Sequence, residues 1–192
     1  MTEKFPGNRI FKRIVFIGMP CSGKSSIGRE VADHYGLDFY DLDEELEKYA
    51  GMTIENIFAE KGEAEFRRIE TEVTAMMADR TDAVIATGGG IVTKPENMRI
   101  LKCEGTLVVY IHRDFVKLAT TPRKIRDRRP VLRDAGYVEL FEIYKKRLPL
   151  YKKYADIEIR NDYGRDASAQ QLYGMLEKTY AVPEGGDNED QT

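Results

Sequence analysis

Gly18-Met19-Pro20-Cys21-Ser22-Gly23-Lys24-Ser25 is the stretch whose residue types and spacing point most directly to chemistry. Its G-x-x-x-x-G-K-S pattern lets successive backbone N–H groups converge on phosphate oxygens. Lys24 supplies a cation for the β- and γ-phosphates, and the Ser25 hydroxyl a ligand for Mg²⁺. An accidental glycine-rich turn could carry the same letters, so the flanks decide. Ile14-Val15-Phe16-Ile17 precedes it as a short apolar run that reads as a buried strand. Ile27, Val31, Ala32 and Tyr35 follow at helical spacing within Ser26 to Tyr35. A helix N-terminus placed there adds positive potential. Strand, loop and helix predict a nucleoside triphosphate site with the phosphates against Cys21, Ser22, Gly23, Lys24, Ser25 and Ser26.

Other stretches carry chemistry with less specificity. Asp41 and Asp43 close the strand-like run Leu37 to Asp43, and two residues apart at an extended end they face the same way. Phosphoryl transfer needs an acid near Mg²⁺ and a group that orients or deprotonates the attacking hydroxyl. Capping of the following helix is the plain alternative. Gly88-Gly89-Gly90 follows the strand-like Asp82 to Thr87 and lets a ligand approach the backbone, or simply makes a flexible turn. Arg67 could grip a carboxylate or phosphate with both prongs. On its helix it also has Glu63 and Glu70 at ion-pair spacing, and sequence alone favours that surface role. Arg123 to Arg133 holds six basic residues in eleven. Net acidity and the lack of interleaved aromatics disfavour a nucleic-acid patch, and a lid closing over ATP is the better use. His34 and His112 read as surface or packing residues, and Met76-Met77 as core.

The elements that must position these groups alternate. Helices are expected over Glu44 to Ala50, stopped by Gly51, and over Ile54 to Glu60, capped by Thr53. A longer one opens at Gly62, with Phe66, Ile69 and Val73 on one side, and another runs from Pro95 to Lys102. Thr106 to Ile111 is the most strand-like segment. Tyr137 to Lys153 is helical with a break at Pro149, Asp156 to Ile159 a last strand, and Ala167 to Tyr180 a last helix. The fold class is therefore α/β, a central five-stranded parallel sheet with helices on both faces. Ligands in such sheets bind beyond the carboxyl ends of the strands, so the loop, the two acids and the glycine triplet should share one rim.

Composition agrees. The 192 residues, 42% hydrophobic and 33% charged, suit one soluble domain over 1–180, with a frayed lead-in at Met1 to Asn8 and a disordered acidic tail over 181–192. A net charge of -3 gives no footprint for nucleic acid or anionic membrane, and no apolar run approaches membrane length. Cys21 and Cys103 match no metal-ligand spacing, and their scarcity fits a reducing cytoplasm.

The combination G-M-P-C-S-G-K-S-S at 18–26, Y-D-L-D at 40–43, G-E-A-E-F-R at 62–67, T-G-G-G at 87–90, R-R-P-V-L at 128–132 and R-L-P-L-Y at 147–151 resembles the shikimate kinases, in that family's order. The resemblance covers about Arg9 to Leu176. It implies a three-layer P-loop NTPase fold with a mobile lid at about 119–136, and transfer of the ATP γ-phosphoryl group to the 3-hydroxyl of shikimate. It also implies roles. Lys24 and Ser25 match the phosphate and Mg²⁺ residues, and Asp41 an acid near the metal. Asp43 matches the acid that binds substrate hydroxyls and serves as base. Arg67 and Arg147 match the pair holding the substrate carboxylate, Gly89 a backbone contact to substrate, and Arg129 the lid arginine that reaches the transferring phosphate. Arg123 or Arg126 would meet the nucleotide, with Arg165 near the adenine. Cys21 stands where the family commonly has glycine, which stiffens the loop and opens a thiol to oxidation. A monomer is expected. The rival readings are a kinase of another hydroxy acid, such as quinate or gluconate, and a nucleotide-binding module without catalysis.

Overall fold

The computed structural model describes residues 11–121 and 136–180. Met1 to Asn8, the lid arginines Arg123, Arg126 and Arg129, and the 181–192 tail lie outside the described residues.

Five strands, β1 (Arg13–Ile17), β2 (Asp38–Asp41), β3 (Ala83–Ala86), β4 (Thr106–His112) and β5 (Ile157–Arg160), form one sheet in the order β2-β3-β1-β4-β5. Every pairing is parallel, with Phe16 opposite Ala86 on one side and Val109 on the other. Parallel strands need crossovers, and helices provide them: α1 (Lys24–Tyr35), α2 (Leu42–Ala50), α3 (Ile54–Glu60), α4 (Gly62–Ala78), α5 (Pro95–Leu101), α6 (Phe115–Ala119), α7 (Tyr137–Tyr154) and α8 (Arg165–Tyr180). β1 is buried along its whole length, so its residues alternate between two cores. Val15 and Ile17 join Ile85, Val108 and Tyr110 beneath α2, α4, α5 and α7. Ile14 and Phe16 join Val84, Val109 and Ile111 beneath α1 and α8. The expected three layers are present.

Several local expectations change. β2 stops at Asp41, whose side chain accepts from the Asp43 backbone N–H and caps α2. Asp43 therefore sits in the first turn of a helix, and the two acids do not share an extended strand end. Helix capping, the plain alternative, is correct for Asp41. Pro149 does not break its helix: α7 is continuous over eighteen residues. A proline costs one backbone bond, but α7 is anchored by Leu140, Arg147 and Tyr151, with the Tyr151 ring stacked on Tyr110 at 5.1 Å. Met77 is buried, whereas its neighbour Met76 is 48% exposed, since adjacent helical residues point about 100° apart. α6 and a 3₁₀ turn at Ile91–Thr93 are short elements without a sequence period. Gly51, at φ 66°, and Thr53, whose hydroxyl accepts from Asn56 N–H at 3.2 Å, act as expected.

Candidate active site

β1 delivers the chain into the Gly18–Ser25 loop, and α1 leaves it at Lys24. Gly18 and Gly23 adopt φ of 151° and 100°. A Cβ on Gly23 would lie 2.2 Å from Asn161 Nδ2, so a side chain there would be strained by conformation and would also displace Asn161. Gly23 also caps α1 without a side-chain acceptor, which leaves the first-turn N–H groups for an anion. Lys24 is buried, and its Nζ donates to the carbonyls of Gly18 (3.1 Å) and Met19 (2.9 Å). The cation is thus held at the mouth of the loop.

The hydroxyl of Ser25 donates to Asp41 Oδ2 at 2.5 Å. Hydroxyl and carboxylate oxygens side by side are hard donors of the kind Mg²⁺ accepts, alongside phosphate and water. Among the described residues no group of three His, Cys, Asp or Glu side chains forms a cage. An ion here would complete its shell from nucleotide and solvent.

Beside the loop lies a cavity of about 610 Å³, lined among others by Cys21, Asp43, Phe66, Arg67, Gly89 and Arg147. The expected convergence of loop, acids and glycines at one rim is observed. The triplet works by proximity rather than by unusual φ. A Cβ on Gly88 would stand 2.8 Å from Asp43 Oδ1, one on Gly89 2.3 Å from Pro20 Cδ, and one on Gly90 3.1 Å from Arg67 Nη1. Each glycine admits a different site side chain, where the sequence suggested the approach of a ligand.

Arg67 makes the helical ion pairs and also faces the cavity. Its Nη1 donates to Glu70 at 2.9 Å and its Nη2 to Glu63 at 3.3 Å, while the guanidinium lines the cavity. Glu70 is only 3% exposed, and burial raises its carboxyl above the ordinary range against the pull of Arg67, Lys94 and Arg147. Arg147 is buried on α7 and donates through Nη1 to the Gly89 carbonyl at 3.3 Å. Tyr151, one turn on, donates to the same oxygen at 2.6 Å. Two arginines, six acids including Asp43, and the aromatic wall of Phe58 and Phe66, whose ring centroids are 4.6 Å apart, line the cavity; the cations suit a carboxylate and the acids the hydroxyls of a small ring.

Sequence reasoning missed Phe58, Arg113 and Asn161, and gave Tyr151 no role beyond its place in R-L-P-L-Y. The spacing of Arg147 and Tyr151, four apart on one helix, did hold a signal, because such residues share a face. Nothing local marks Asn161, whose Nδ2 reaches the Ser22 carbonyl at 2.7 Å from the far end of β5.

A phosphate loop opening onto a half-open cleft of this size defines a P-loop phosphotransferase with a small acceptor. Comparison with known proteins narrows the class. A family model described as shikimate kinase matches residues 20–177. A shikimate kinase of Dictyoglomus turgidum is 41% identical over 150 residues, 77% of this chain and 86% of that protein. Another, from Thiobacillus denitrificans, is 36% identical over 87% of both chains. The structure of the Acinetobacter baumannii shikimate kinase in complex with shikimate superposes with a TM-score of 0.76 at 33% identity, covering 90% of this chain and 97% of that one. The chain belongs to the shikimate kinase family, whose members are ATP-dependent kinases.

Proposed function

We propose that this protein transfers the γ-phosphoryl group of ATP to the 3-hydroxyl of shikimate, giving shikimate 3-phosphate and ADP. The observation that carries the reading is the cavity shared by Asp43, Arg67, Gly89 and Arg147 next to the phosphate loop. Arg67 and Arg147 bind the acceptor carboxylate, Gly89 meets the ring through its backbone, and Asp43 orients the attacking hydroxyl and takes its proton. Cys21 to Ser26 cradle the nucleotide phosphates and Lys24 neutralises their charge; Arg129, outside the described residues, is given the transferring phosphate on the family resemblance alone. Ser25 and Asp41 would hold Mg²⁺, which would supply positive charge to offset that of the nucleotide phosphates. Catalysis then rests on positioning and electrostatics rather than covalent chemistry with the protein.

Among the described residues no helix is long and apolar enough to cross a membrane. The same reading makes the protein a cytoplasmic monomer with no nucleic-acid partner. The position of the new phosphate tests the proposal. Phosphorus–proton coupling in the NMR spectrum of the product should fall on the proton at carbon 3, and coupling at another carbon would overturn it.

A further inference from the structure

Cys21 and Asp82 are the non-glycine residues at positive φ among the described residues, and Cys21, at 64°, stands inside the phosphate loop. Glycine adopts that conformation freely, whereas a side chain brings its Cβ against the backbone. Such a conformation persists only when its surroundings enforce it. At Cys21 a contact is visible on the peptide that follows it, whose orientation sets ψ. Arg113, directly after β4, donates from Nη1 to the Cys21 carbonyl at 2.7 Å. The other end of the same peptide unit, the Ser22 N–H, bonds to the Met19 carbonyl at 3.1 Å. A planar unit held at both ends cannot rotate, so Cys21 cannot leave the left-handed region by turning ψ.

The position of Arg113 follows from the sheet. β4 lies beside β1, with Tyr110 opposite Ile17, so the chain leaving β4 passes under the loop leaving β1. The approach is close enough that a Cβ on Gly18 would stand 2.6 Å from the Ile111 carbonyl oxygen. Arg113 Nε is buried there without a hydrogen-bond partner, a cost that an outward-facing arginine would avoid. The arrangement thus keeps the bond to Cys21 at the expense of another donor.

We propose that Arg113 is a positioning residue for nucleotide binding, acting through the Cys21 carbonyl to hold the phosphate loop in its binding shape. The proposal rests on the reading of Gly18–Ser25 as the nucleotide site. Its signature is coupling between the two side chains: the strap matters because residue 21 is not glycine.

A double-mutant cycle measured by calorimetric titration with MgADP tests this. Arg113→Ala should weaken MgADP binding about tenfold, the size expected for loss of a charge-assisted hydrogen bond. In the Cys21→Gly background the same substitution should weaken binding by less than about threefold, since glycine needs no strap. Equal losses in both backgrounds, or no loss in either, would overturn the proposal. Lys24→Ala separates this from the underlying reading: if it leaves MgADP binding intact, the loop is not the nucleotide site at all. Should Arg113→Ala not fold, Arg113→Gln is held to the same comparison, with circular dichroism confirming the fold of each variant.

Discussion

The Tyr151 hydroxyl donates to the Gly89 carbonyl at 2.6 Å, tying α7, the longest helix among the described residues, to the glycine triplet at the rim of the sheet. This bond fixes backbone that lines the cavity. Tyr151→Phe removes the donor and leaves the buried carbonyl with the longer bond from Arg147. We expect a stability loss of about 1–2 kcal/mol in urea denaturation, with a raised shikimate KM. A variant as stable as the parent would show that the bond does not hold the triplet.

Arg67→Ala should raise the shikimate KM far more than the ATP KM. Loss of one partner of a desolvated charge pair costs on the order of 2–5 kcal/mol of binding. Steady-state kinetics with each substrate varied in turn give the comparison. Equal effects on both constants would remove Arg67 from the acceptor site.

Glu70 predicts a pH dependence. Burial raises its carboxyl above the ordinary 4.5, so between that value and the raised one the folded protein binds more protons than the unfolded chain. Stability from this group is full below the unfolded value and falls as pH rises through the folded one. Glu70→Gln should flatten that descent in urea midpoints measured from pH 4 upward. An unchanged profile would contradict it.

The triplet predicts an order of damage. Gly89→Ala places a Cβ against the ring and backbone of Pro20, none of which can step aside, whereas Gly90→Ala meets only the flexible end of Arg67. Overpacking of this kind costs about 1–3 kcal/mol. Thermal unfolding should rank Gly89→Ala below Gly90→Ala, and the reverse order would refute the close approach.

Much of this site was legible because its parts are local. The loop declares itself through glycine, lysine and serine spacing between a buried strand and a helix, and the sheet brings three such stretches to one rim by topology alone. Arg67 was not decidable locally, since any helical arginine with Glu63 and Glu70 beside it satisfies a surface pair, and the cavity is made by residues elsewhere. Asp43 was placed on a strand because nothing in D-L-D says that Asp41 turns the chain into a helix. Asn161 and Arg113 act on the site across 139 and 92 residues of sequence, distances at which no pattern survives, whereas Tyr151 could be found only through its spacing to Arg147.

The most direct measurement is ADP release from MgATP with shikimate, quinate, gluconate and no acceptor compared side by side. The account predicts turnover strongly selective for shikimate. Faster turnover with another acid, or none with any of them, would contradict it.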